Sequence, residues 1–171
     1  SCGETHIFMK ECEFVHRSDP EGYESGLWVE VVHFTPNNPE ADRVMHMQLT
    51  REFGEAYAVS MVRVDPKFKG FGLAPAVYKK LLQNTDIALV TDKCQTPGGQ
   101  YIWNSLLGTK GIEIAAFNSK MSRVPRTLHP VTHGKDSPRL EVVGYSAWGE
   151  EGKNNWGFIM SRTPKRRSGA A

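Results

Sequence analysis

Residues 63–82 read RVDPKFKGFGLAPAVYKKLL. The run just before, AYAVSMVRV (Ala56 to Val64), is rich in β-branched and aromatic residues and predicts a strand, which Asp65-Pro66 stops. The run after, APAVYKKLLQN (Ala74 to Asn84), predicts a helix whose Pro75 stands in the first turn, where a missing N–H costs nothing. Between strand and helix lie Lys67, Lys69, Gly70 and Gly72. Glycine weakens regular structure and serves where backbone must turn sharply or be approached closely. With a helix opening at Ala74, the N–H groups of Phe71, Gly72, Leu73 and Ala74 have no intrahelical acceptor and sit at the positive end of its dipole. Two lysines and two unobstructed glycines beside them make a phosphate cradle in chemical terms. It is not a Walker loop, because GxxxxGK[ST] is absent, and the dinucleotide pattern GxGxxG fails where Pro75 replaces its third glycine.

Working outward, DIALVTD (86–92) predicts a buried strand and TPGGQYIWNSLL (96–107) a helix capped by Thr96, opened by Pro97 and ended by Gly108. Strand, glycine loop, helix, strand, helix is an α/β pattern. Upstream, GLWVEVVHFT (26–35) predicts a strand and PNNPEAD (36–42) a connection. RVMHMQL (43–49) is open: Met45, Met47 and Leu49 alternate as in a strand, while Ala41, Val44, Met45, Leu49 and Phe53 fit a helix. Downstream, GIEIAAFNS, RLEVVGYS and NWGFIMSR predict three strands. Between the first two runs a long proline-containing connection, residues 120–139, where Lys120, Arg123, Arg126, Lys135 and Arg139 face Asp136. Connections of that length serve a site or lack order. The expected organisation is one domain over residues 1–163 with a basic, frayed tail at 164–171.

The chain has 171 residues, 39% of them apolar, enough for a single hydrophobic core. No apolar run is long enough to span a membrane, and SCGETHIFMKECEF lacks a signal-peptide pattern. Three cysteines (Cys2, Cys12, Cys94) without CxxC spacing suit free thiols in a reducing, cytoplasmic setting. Residues 1–65 hold 12 acidic and 5 basic side chains, residues 66–171 hold 7 and 16, so the sign of charge switches at the glycine loop. That division suits an anion handled by the second half. His129 and His133 have HxxxH spacing but lie in a proline-containing loop without a third ligand, so no metal site is expected. Trp28, Trp103, Trp148 and Trp156 read as packing residues.

The stretch VRVDPKFKGFGLAPAVYKKLL resembles the signature of the GNAT superfamily of acyl-CoA-dependent N-acetyltransferases. In that signature a strand ending V-x-V-x-P leads into R/Q-x-x-G-x-G/A and then a helix; here Lys69, Gly72 and Ala74 take the three marked positions. The following strand and helix, to residue 108, resemble the family's next segment. The resemblance implies a mixed, mostly antiparallel central sheet with flanking helices, an α/β or α+β fold. The sheet would begin as an antiparallel meander, which favours the strand reading of 43–49, and its two middle strands would splay apart. Acetyl-CoA is the implied acyl donor. Its pantetheine arm would pair with the backbone of Val62, Arg63 and Val64, and its pyrophosphate would sit on the amides of Gly70, Phe71, Gly72, Leu73 and Ala74 beside Lys69.

The implied activity is transfer of an acetyl group to an amine acceptor: a small molecule, a protein amine or a nucleobase amine. Such chemistry needs a base for the amine and an acid for the departing thiolate. The family often places a tyrosine in the second helix as the acid; the register lands on Ile102 or Trp103, with Tyr101 one position away. Asp92, Ser60, Glu55 and His46 are the base candidates, and Tyr101, Asp92 and Ser60 form the expected catalytic set. The alternative function is a non-catalytic module of the same fold. It would contact nucleic acid or a protein through the 120–139 connection and the tail, although a pI near 8.4 is below the strongly basic range.

Overall fold

The computed structural model describes residues 3–15, 19, 21–91, 97–117, 127–134, 137–142, 145–146 and 156–163. Strands β1 (Glu4–Val15), β2 (Tyr23–Thr35), β3 (Asn38–Phe53) and β4 (Ala56–Val64) form an antiparallel meander. Helix α1 (Leu73–Asn84) then leads to β5 (Ala88–Val90), and helix α2 (Pro97–Leu106) leads to β6 (Ile112–Phe117). The short β7 (His129–Pro130) follows, and β11 (Gly157–Arg162) returns to the sheet. The eight strands run in the order β1-β2-β3-β4-β5-β11-β6-β7. Among them β4 and β5 are the parallel pair and the other neighbours are antiparallel. A separate sheet joins β8 (Thr132–Gly134), β9 (Ser137–Val142) and β10 (Tyr145–Ser146). This is an α+β fold built on a mostly antiparallel mixed sheet.

Both helices share one core with the sheet. Val77, Tyr78, Leu81 and Leu82 of α1 meet Trp103 and Leu106 of α2 over Met45, Met47, Leu49, Leu89, Phe158 and Met160. The spacing of the α1 residues marks one helical stripe, and Lys79 and Lys80 on its other side are exposed. Burial of the Tyr78 phenol pushes its pKa far above the usual tyrosine value. No helix among the described residues is long and apolar enough to cross a membrane.

The run at 43–49 is strand, the reading that the resemblance favours. Other expectations change. The connection before it shrinks to Pro36-Asn37, because β3 already begins at Asn38. Its helix-like pattern comes from a bulge: Val31 faces Met45 and Val32 faces Arg43, so Val44 is an extra residue and both Val44 and Met45 are buried. Strand β1 was not foreseen; it is an edge strand with Phe8, Met9 and Val15 exposed. Strand β5 occupies three residues of the expected seven, Asp86 instead pairing with Arg162. The 120–139 connection contributes β7, β8 and part of β9; its residues 120–126 and 135–136, like Trp148 and the tail, lie outside the described residues.

Candidate functional site

The site starts from a change of partner along β4. Its first three residues are held on both sides: Ala56, Tyr57 and Ala58 face Ala88, Leu89 and Val90 of β5, and β3 lies on the other edge. Beyond Ala58 the pairing with β5 stops, while β3 continues to pair as far as Val64. Two features cause the separation. Thr91, just after β5, donates its N–H to the Phe158 carbonyl at 2.9 Å and accepts the Phe158 N–H on Oγ1 at 2.9 Å, so the chain follows β11. On the β4 side, Gln48 faces Met61 and Leu49 faces Val59, leaving Ser60 as an extra residue. Such a bulge bends its strand and increases the twist. It also reverses the alternation, so Val62 and Val64 pack toward the same core as Tyr57 and Val59.

Past Val64 the chain is pinned before it opens. Asp65 donates its N–H to the Val44 carbonyl at 2.8 Å, its carboxylate accepts the Lys67 N–H at 2.9 Å, and its carbonyl accepts the Phe68 N–H at 2.9 Å. Phe68 packs against the core, fixing a single 3-10 turn at Pro66–Phe68. Gly70 and Gly72 follow with φ of 85° and 68°, in the left-handed region that L side chains rarely adopt. Gly72 is the N-cap of α1, and its carbonyl accepts the Ala76 N–H at 3.3 Å. No hydrogen-bond partner for the N–H groups of Gly70 through Ala74 occurs among the described residues. Nor does any described residue fill the bend: a Cβ at Gly70 or Gly72 would meet none of them within 4 Å, and Phe71 is 80% exposed.

These parts border one cleft of about 700 Å³. Val62, Arg63 and Val64 line it from β4, Phe68 through Gly70 and Gly72 through Pro75 from the loop and α1, and Gly98, Tyr101 and Ile102 from α2. Its size falls in the range of small-molecule sites. Tyr101 is 65% exposed, whereas Trp103, two positions on, is buried in the core. Helical geometry therefore gives the cleft to Tyr101 and Ile102 and the core to Trp103.

The other candidates fare differently. The Ser60 hydroxyl is 2.5 Å from Thr50 Oγ1 and reaches the Gln48 carbonyl at 3.4 Å; Ser60 does not border the cleft. Both of these contacts lie at the bulge, and a catalytic part for Ser60 stays an expectation. Glu55 is exposed in the turn before β4, at the far end of the strand from the glycine loop. His46 stands opposite Arg63 on β3 and stacks on Trp28. Asp92 lies outside the described residues. His129 makes an edge contact with Trp156 at 5.2 Å, and no group of three or more candidate metal ligands occurs among the described residues. The role of the bulge was missed in the sequence; Ser60 inside a β-branched run was its one available signal.

Comparison with protein-family models, with curated proteins and with solved structures gave no match.

Proposed function

We propose that this chain is an N-acetyltransferase of GNAT type, carrying an acetyl group from acetyl-CoA to an amine. One observation carries the reading: β4 leaves β5 after Ala58, and the freed stretch runs along one cleft into five amides that have no hydrogen-bond partner among the described residues. The meander, the parallel β4–β5 pair and the helix after each of those strands also agree with the fold that the signature implies. The two ends of the cleft suit the two chemistries of the donor. Left-handed glycines with open space above them, the α1 N-terminus and Lys69 suit a diphosphate. A strand edge with no neighbouring strand among the described residues suits an arm that carries amide groups.

The donor supplies an acyl thioester, and the chain supplies placement and proton handling. Pairing along Met61 to Val64 would fix the arm, so the acyl carbon lies toward the bulge end of β4, away from the diphosphate. In the reaction a C–N bond forms as the C–S bond breaks, the amine gives up one proton, and the thiolate takes one. Tyr101 has its side chain at the cleft and is the residue assigned to give that proton. The test is release of free CoA thiol with a panel of amines, alongside equilibrium binding of CoA. Turnover with at least one amine and saturable CoA binding are expected. Absent CoA binding would refute the cradle. Binding without thiol release, together with salt-dependent retention of nucleic acid, would favour the non-catalytic module.

A further inference from the structure

The sheet face turned away from the helices carries a second depression. Met45 and Met47 point into the core, so His46 between them projects to the opposite face. The bulge at Ser60 does the same for Arg63, which lies between the inward Val62 and Val64. His46 and Arg63 are cross-strand partners, and with Arg43 and Asp65 they line a pocket of about 250 Å³ that Val44, Met45, Val64 and Pro66 also border.

Two guanidiniums and two carboxylates, Glu30 and Asp65, stand at this pocket, and they are not all paired with one another. Arg43 pairs with Glu30 at 2.8 Å, and the Asp65 carboxylate accepts the Lys67 N–H at 2.9 Å. No carboxylate pairs with Arg63 among the described residues. The His46 ring stacks on Trp28, with centroids 5.1 Å apart and planes 23° from parallel, which fixes its orientation. Burial first, then the Arg43 and Arg63 guanidiniums, hold its pKa below the usual histidine value, with Glu30 opposing them. A solvated arginine on a sheet surface is the ordinary reading of Arg63. Convergence of two guanidiniums and an imidazole on one concavity, where Glu30 pairs with Arg43 and the Asp65 carboxylate accepts a backbone N–H, speaks against it. Guanidinium groups suit planar carboxylates and phosphates in two-point contact.

We infer that this pocket binds a small carboxylate or phosphate group, and, resting on the acyl-transfer reading, that the group belongs to the acceptor. The acceptor would then be an amine that carries an anion. Arg63 borders both the 700 Å³ cleft and the 250 Å³ pocket. A donor laid against Val62, Val64 and the helices leaves the opposite face to the second reactant, and the pocket is on that face. Strand geometry sets Arg63 roughly 10 Å along β4 from the bulge, so the amine and the anion of one molecule could reach both points.

The test follows the His46 ring and the Arg63 Nε–H of the full chain by NMR. Sodium phosphate and sodium acetate are titrated separately, at ionic strength held constant with chloride. Saturable shifts at both residues are expected with at least one anion, and the one that binds identifies the acceptor group. His46 should titrate at higher pH when the anion is bound, in a field set also by Glu30, Arg43, Arg63 and Asp65. Arg63→Ala should weaken binding about fivefold, with Arg63→Lys recovering part of the loss; Arg43→Ala is the second variant should Arg63→Ala fail to fold. A CoA titration watched at the amides of residues 70–74 separates the two claims. Movement there, with no saturable response of His46 or Arg63 to either anion, overturns the pocket and leaves the acyl-CoA reading standing. Anion binding at His46 with no CoA response at 70–74 overturns the acyl-transfer reading, and the assignment of the anion to an acceptor with it.

Discussion

Ala56–Ala58 and Met61–Val64 belong to one strand and have different surroundings. The first three residues are at most 6% exposed and are paired on both edges. The later four keep β3 and have lost β5. β propensity does not explain the contrast, since the valines lie in the half that has lost a neighbour and Ala-Tyr-Ala in the half paired on both edges. It arises from Ser60, which adds a residue to β4, and from Thr91, which ties the end of β5 to Phe158. The first half secures the fold. The second offers backbone groups to whatever enters the cleft, and a sheet can do both at once when a bulge separates the two tasks.

Perturbing each half should therefore have separable effects. The largest is expected at the cleft wall. Tyr101→Phe should lower turnover roughly 100-fold if its hydroxyl protonates the leaving thiolate, with CoA affinity little changed; undiminished turnover removes it as the acid. Next is Gly72→Val, which forces a β-branched residue to φ near 68°. It should lower stability by about 1–2 kcal/mol and weaken CoA about tenfold or more. Gly108, at φ 81° beyond the other end of α2, is its control. Gly108→Val should cost similar stability in denaturant melts while leaving CoA binding intact, and equal losses of affinity would show that strain, not the cradle, is responsible.

Lys69→Ala should weaken CoA about threefold, as expected for one exposed charge. The dephosphorylated pantetheine arm should feel little; equal losses would exclude charge as the cause. Ser60→Ala tests the bulge itself. It should cost about 1 kcal/mol of stability by removing the bond to Thr50. A loss of turnover beyond what that destabilisation explains would give Ser60 a part in the chemistry. The smallest effect concerns pH. A histidine whose folded pKa lies below its unfolded value of 6.5 favours folding fully above that pH, and the contribution is lost as pH falls through the folded pKa. His46→Gln should flatten this part of the pH–stability curve in urea unfolding at stepped pH; an unchanged curve would locate the dependence elsewhere.

Much of the central segment was legible in sequence. Strand β4 has the expected bounds, and α1 and α2 differ from expectation by a residue at one end or both. Strong local signals set these elements: a β-branched run closed by Asp65-Pro66, and helices opened by Pro75 or Pro97. The glycine bend between β4 and α1 was legible for the same reason, because lysine and glycine crowd there between a strand and a helix. Strand β1 was not legible, since as an edge strand it buries little and its pattern shows no core face. The strand-or-helix ambiguity of 43–49 came from the bulge at Val44, which breaks the period of two. The departure of β4 from β5 depends on Thr91 meeting Phe158, residues 67 apart in sequence, and no local pattern encodes it. Placing Arg63 on the far face required knowing that Ser60 shifts the alternation by one.

Hydrogen exchange of the backbone amides, with and without CoA, tests the central claim most directly. The amides of Gly70 to Ala74 have no partner among the described residues, so in the free protein they should exchange among the fastest. Saturating CoA should slow them about tenfold or more, together with those of Met61 to Val64 that face the cleft. Unchanged exchange at residues 70–74 under CoA that is demonstrably bound elsewhere, or protection there already in the free protein, would contradict the account.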